Sequence, residues 1–152
     1  MNEKIKTRLS AFLPYRLSVL SNTISKNIAA IYSTEFGLSM WQWRVMAVVG
    51  ESPGLTATQV TNQTAMDKPA VSRAVASLIE QGLLKREASQ EDGRTSLLYL
   101  TRAGQNIYDR IFPRALTHET ELTSGLTRAE LETFNALLDK LADKSSPKKK
   151  LW

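Results

Sequence analysis

The sequence predicts a mainly α-helical chain with one small β-hairpin wing, arranged as a winged helix-turn-helix with longer helices before and after it. Three observations carry that expectation. Leu13, Leu17, Leu20, Ile24, Ile28 and Ile31 step by four, three, four, four and three, which averages the helical period. Ser39–Gln42, Thr56–Gln59 and Thr127–Glu130 each have the form in which a hydroxyl and a side chain three residues on satisfy each other's backbone N–H groups at a helix start. Finally, Gln90-Glu91-Asp92-Gly93 lies between two short runs, Leu83 to Ala88 and Arg94 to Leu100, and Asp-Gly is a strong hairpin signal.

Taken in order, the first helix has Pro14 in its opening turn and Gly37 as a natural stop after Phe36. Its roughly 22 residues make a rod of about 33 Å, long enough that a partner subunit is a ready candidate for covering it. A second helix opens at Ser39, carries Trp43, Val45, Met46 and Val49, and ends at Gly50-Glu51-Ser52-Pro53-Gly54. A third opens at Thr56 and contains Val60 and Ala65. Asp67 reads as the N-cap of a fourth, with Pro69 tolerated in its first turn, a buried stripe of Val71, Val75, Leu78 and Ile79, and a stop at Gly82. After the hairpin, Thr101 caps a fifth helix lined by Ile107, Ile111, Ala115 and Leu116, which Pro113 is expected to bend. The last helix carries Leu131, Phe134, Leu138 and Leu141, and the tail SSPKKKLW has no periodicity. The chain shows no internal repeat.

Composition narrows the function. With 152 residues the chain can bury about 70% of its unfolded surface without a metal or disulfide staple. Cysteine is absent, which removes disulfides, thiolate metal sites, iron–sulfur ligation and a thiol nucleophile. One histidine, His118, leaves little for a zinc site or a Ser-His-Asp triad. Glu91 and Asp92 are adjacent in a turn and point apart, so they make no catalytic pair. No apolar run nears the ~18 residues of a membrane span, and MNEKIKTRLS lacks the apolar core of a signal peptide. These features point to a cytoplasmic binding protein rather than an enzyme, with no cofactor, no metal site and no membrane contact. The net charge of +5 is not itself a nucleic-acid footprint. Thr56 to Gly104 holds six basic and five acidic residues, while Lys144 to Trp152 holds four lysines and no acid.

Two short helices, a tight turn and a hairpin have a specific physical logic: the first helix braces the second, which presents its outer face to the major groove of double-stranded DNA. On a helical wheel the outward positions of the fourth helix are Pro69, Ala70, Arg73, Ala76 and Ser77, flanked by Lys68 and Ser72. Arg73 can fork onto a guanine edge or a phosphate, and Pro69 and Ala70 can touch thymine methyls. Ser72 and the first-turn N–H groups suit phosphate oxygens. Arg94 beside the turn suits a narrow minor groove. Asp92 would repel phosphate if it pointed outward; it reads as an orienter of the wing, paired with Arg86 or Arg94.

The segment Asp67-Lys68-Pro69-Ala70-Val71-Ser72-Arg73, followed by Leu78, Gly82-Leu83-Leu84 and Arg86, resembles the recognition helix of the MarR/SlyA family. Asp92-Gly93-Arg94, then Leu100-Thr101 and Gly104, resembles that family's wing and the start of its next helix. The resemblance implies a homodimer. Residues 1–36 would form an N-terminal dimerisation helix, 37–100 the winged-helix lobe, 101–143 the C-terminal dimerisation helices and 144–152 a basic tail. It also implies a repressor on a near-palindromic operator, relieved by a small, commonly anionic aromatic ligand. Where that ligand would bind, Tyr15, Arg16, Trp41 and Arg44, with Trp43 and Met46 nearby, offer aromatic walls and guanidinium groups suited to a carboxylate on a flat ring. Core and interface packing is the alternative for most of them. The chain departs from the family pattern in two places. Gly93 stands where an arginine is common, and Pro69, Ala70 and Ala76 leave the reading face poor in long polar side chains, which shifts weight to shape readout. The family's peroxide-sensing branch needs cysteine and is excluded; its zinc-sensing branch needs more ligands than His118, Glu119 and Glu121 supply. The near-neutral charge of residues 56–104 leaves one alternative, a winged-helix protein-interaction or scaffold module that does not bind specific DNA.

Overall fold

The computed structural model describes residues 8–152. Residues 1–7, which include most of the stretch read for a leader and the start of the first segment, lie outside the described residues. A 3-10 turn at Leu9–Ala11 leads into α1 (Leu13–Phe36), followed by α2 (Met40–Glu51), α3 (Ala57–Thr64), α4 (Lys68–Glu80), β1 (Leu84–Ala88), β2 (Ser96–Leu100), α5 (Arg102–Thr123) and α6 (Arg128–Ser145). All three capping boxes form. At Ser39, Thr56 and Thr127 the hydroxyl accepts from the N–H three residues on, and Gln42, Gln59 or Glu130 accepts from the cap N–H. Gly82, at φ +71°, ends α4: its N–H donates to the Ile79 carbonyl at 3.0 Å, and the Leu83 N–H to the Leu78 carbonyl at 2.9 Å.

The core lies where α2, α3, α4 and the hairpin meet. Val45, Met46, Val49, Val60, Val71, Val75, Leu78, Leu84 and Leu98 are buried there, and Tyr32 of α1 and Ile111 of α5 extend the cluster toward the long helices. The strands are antiparallel in the register Leu84↔Leu100 to Ala88↔Ser96, and Leu55 adds a bridge to Leu98. An aromatic row crosses from lobe to long helices. Tyr32, Trp43, Tyr108 and Phe112 have successive ring centroids 5.7, 5.9 and 5.3 Å apart. Gly50 lets α2 close on that row, since a Cβ there would stand 2.7 Å from the Tyr108 ring. Glu35 at the end of α1 bonds Arg110 and, at 2.6 Å, Arg114 of α5.

One local expectation is corrected. Ala65 is not in the third helix; it takes a left-handed φ of +54°, which turns the chain between α3 and α4 and lets Met66 bury. α5 runs through Pro113, whose missing N–H leaves the Asp109 carbonyl without its helical donor. The tail has no regular element, but Trp152 Nε1–H donates to Asp139 Oδ1 at 2.8 Å, and Leu151 and Trp152 lie beside Val48 of α2 and Ser52 just after it. The long helices are unevenly covered. Ile24, Ile28 and Ile31 of α1 are half-buried, whereas Leu13, Leu17 and Leu20 are exposed. Phe112, Leu116 and Leu122 of α5 and Phe134, Leu137 and Leu141 of α6 are exposed as well, and α6 makes no extended contact with another element of its own chain. No described helix is long and apolar enough to cross a membrane.

Candidate nucleic-acid interface

The start of α4 is fixed by Asp67, whose Oδ1 accepts from the Ala70 N–H at 2.7 Å, so that Lys68 and Pro69 fall in the first turn. Val71, Ala74, Val75 and Leu78 are its buried side, with Ile79 half-buried. Pro69, Ser72, Arg73 and Ala76 are exposed on the other side. Ser77 was expected among them and is not. It is half-buried, and its Oγ accepts from Gln42 Nε2 at 2.9 Å and from Gln81 Nε2 at 3.0 Å. Adding Ala74 to the buried stripe turns its centre about a twentieth of a turn toward Ala70 and Ser77, which line the flank facing α2.

Two grooves border α4. On the flank toward α3 and β1, Thr58, Thr61, Lys68, Ser72 and Arg86 rim a groove of about 200 Å³ over Ala57, Val71 and Val75. Its two cations and three hydroxyls, with no carboxylate in the lining, are the chemistry of an anion seat. Strand alternation explains Arg86: it shares the face of Leu84 and looks toward α4, while Lys85 and Glu87 point the other way and pair at 2.8 Å. On the flank toward α2, Ser39, Trp41, Gln42, Ala70, Arg73, Ala74 and Ser77 line a second groove of about 270 Å³.

The wing is longer than the Asp-Gly signal suggests. Ala88↔Ser96 is the last strand pair, so residues 89–95 form the loop, closed by Ser89 N–H to Thr95 O at 2.8 Å. Gly93 stays out of the left-handed region, so Asp-Gly does not make a two-residue hairpin turn here. Asp92 organises the tip instead: its Oδ1 accepts from the Arg94 N–H at 3.0 Å and its Oδ2 from the Thr95 hydroxyl at 3.1 Å. The expected ion pair of Asp92 with the Arg86 or Arg94 side chain does not occur among the described residues. Arg86 is held away from the tip by its pairing with Leu98, and Arg94 is exposed at it.

The candidate ligand residues separate into two groups. The Arg44 guanidinium lies 5.6 Å over the Trp41 ring and reaches Ser25 Oγ at 3.5 Å. Tyr15 and Arg16 sit on the exposed early turns of α1, about 15 Å along the axis from Ser25, so the four do not form one pocket within a chain. Trp43 and Met46 are core residues. Burial pushes the Tyr32 hydroxyl above its ordinary pKa, and the nearby Arg44 cation pulls part of that back. His118 is half-buried on α5. The sequence reading missed Thr58 and Thr61 in the anion-seat groove. Their spacing of three on one helix face was the available signal.

Comparison with known proteins supplies the context for this geometry. A family model described as MarR family matches residues 36–95. The HTH-type transcriptional regulator PapX of Escherichia coli is 26% identical over 128 residues, 83% of this chain and 78% of that one. A MarR/EmrR family transcriptional regulator from Acinetobacter sp. ADP1 superposes with a TM-score of 0.85 at 26% identity, covering 93% of this chain and 99% of that one. FabT of Streptococcus pneumoniae, solved in complex with DNA, shares the fold at a TM-score of 0.75 and 20% identity over 93% of this chain and 100% of that one. PcaV of Streptomyces coelicolor, solved with its natural ligand, shares it at 0.71 and 23% over 91% and 97%.

Proposed function

We propose that this chain, which belongs to the MarR family of winged-helix transcriptional regulators, works in the cytoplasm as a homodimeric repressor of a near-palindromic operator and is released by a small anionic aromatic ligand. The observation that carries the DNA reading is the state of the charges on the lobe. Among the described residues no carboxylate pairs with Lys68, Arg73, Arg86 or Arg94. Three of the five acids of residues 56–104 are engaged elsewhere: Asp67 caps α4, Asp92 shapes the wing and Glu87 pairs with Lys85. The near-neutral sum over residues 56–104 therefore includes four cations free of carboxylate pairing, which supports the DNA reading over the scaffold alternative. Pro69, Ser72 and Arg73 would enter the major groove, Lys68 and Arg86 would hold a phosphate, and Arg94 would reach the minor groove.

Dimerisation is supported by the exposed leucines and phenylalanines of α1, α5 and α6, large apolar side chains that no element of the chain covers. Two recognition helices must stand about 34–36 Å apart to enter successive major grooves. A ligand that favours another spacing, with a coupling of about 1–3 kcal/mol, would change operator affinity some 5–150-fold. The PcaV–ligand complex supports ligand control, and Arg44, half-buried and reaching Ser25 of α1, is the guanidinium within this chain that could meet a carboxylate. The test is selection of duplexes from random sequence at two salt concentrations, followed by stoichiometry. A palindromic consensus bound by two chains, with Arg73→Ala and Arg94→Ala weakening it at least tenfold, is the expected result. Weak binding with no enriched sequence would overturn the reading.

A further inference from the structure

A helix lying in the major groove has a sugar–phosphate strand along each flank. The two flanks of α4 offer these strands different chemistry. Toward β1 there are cations and hydroxyls, enough to hold one phosphate strand by charge. Toward α2 the polar wall atoms are already committed to one another. Gln42 accepts from the Ser39 N–H at 2.8 Å and donates to Ser77 Oγ at 2.9 Å, and Ser77 also accepts from Gln81. The surface left for a ligand is the guanidinium of Arg73 and the ring of Trp41, which is 44% exposed although an aromatic of this size is ordinarily buried. Arg44, with its guanidinium 5.6 Å over the Trp41 ring, helps hold the ring in place, and no carboxylate lines the groove.

We infer that this groove receives one deoxyribose–phosphate unit of the operator's far strand, with the sugar against the Trp41 ring and the phosphate on Arg73. The inference rests on the DNA-binding reading above and assigns Trp41 to the nucleic-acid face rather than to an effector pocket. The contact carries no base identity, so it fixes the tilt of α4 in the groove without adding sequence preference. It also explains how a reading face built from Pro69, Ser72 and Ala76 keeps a defined orientation.

The test uses the full-length chain against its selected operator and an unrelated duplex. Trp41→Ala should weaken both by about tenfold, because a buried aromatic face is lost, while the slope of log affinity against log salt stays unchanged. Arg73→Ala should lower that slope by about one. Trp41→Phe should stay within about threefold of the parent. In a Trp152→Phe background, Trp41 is the only exposed tryptophan, because Trp43 is 8% exposed. Saturating duplex should then shield the fluorescence from acrylamide. Unchanged affinity in Trp41→Ala overturns the inference, and so does lost affinity with Trp41 still fully quenchable in the complex, which would mark a purely structural role. Loss of effector response alone in Trp41→Ala would assign the groove to a small molecule and overturn it too. If the parent chain selects no duplex, both readings fall; a parent that binds well with an indifferent Trp41→Ala fells only this one.

Discussion

Asp92 illustrates how one carboxylate can favour binding to a polyanion. It lies at the exposed tip, yet both its oxygens accept hydrogen bonds from the loop it belongs to, one from the Arg94 N–H and one from the Thr95 hydroxyl. Its charge is directed inward, and the Arg94 backbone is held in a single conformation. Asp92→Ala should therefore weaken operator binding although it removes a negative charge, by about 1–2 kcal/mol of lost ordering, read by fluorescence anisotropy. Asp92→Asn keeps one acceptor for the Arg94 N–H and should recover part of the loss. Tighter binding by the alanine variant would show that the carboxylate repels DNA instead.

At the scale of elements, α5 is seated on the turn between α4 and β1. Thr101 donates its hydroxyl to the Gly82 carbonyl at 2.6 Å and its N–H to Leu83 O at 3.1 Å. A Cβ on Gly104 would stand 2.0 Å from that same Leu83 oxygen, a backbone atom that cannot swing aside. Gly104→Ala should cost about 2–4 kcal/mol in urea unfolding, whereas Gly125→Ala, which would meet nothing within 4 Å, should shift the midpoint little. These seats also show what the sequence could say about elements. The capping boxes, the Asp67 cap and the Gly82 stop were legible because each is a bond between a residue and the backbone within about one turn. Ser77 was misplaced because its partner Gln42 is 35 residues away, and nothing local shows that Ala74 belongs to the buried stripe. The wing loop was misread because Asp-Gly suits a tight hairpin turn and a side-chain-closed turn equally, and only the strand register decides. Tyr15 and Arg16 were grouped with Arg44 by residue type, while the length of α1 keeps them apart.

On the scale of the whole molecule, the uncovered apolar faces of α1, α5 and α6 stand outside the winged-helix lobe. In the proposed dimer, Leu137→Glu should place a charge in the apolar interface. Sedimentation should then show monomer at micromolar concentration, and operator affinity should fall by about tenfold or more as the two lobes lose their fixed spacing. A variant that remains a dimer would move the interface off α6. The isolation of α6 within its own chain has a further effect. Apart from the tail at Trp152, its 18 residues meet no extended surface of their own chain, so in the proposed dimer the second copy would supply it. A solitary helix of that length is only marginally stable in water. Secondary structure and subunit association then become one equilibrium governed by mass action. Diluting the protein should lower its far-ultraviolet ellipticity along the same curve that describes dissociation. The number of copies in the cell would then set not only how much operator is occupied but how much of each chain is folded.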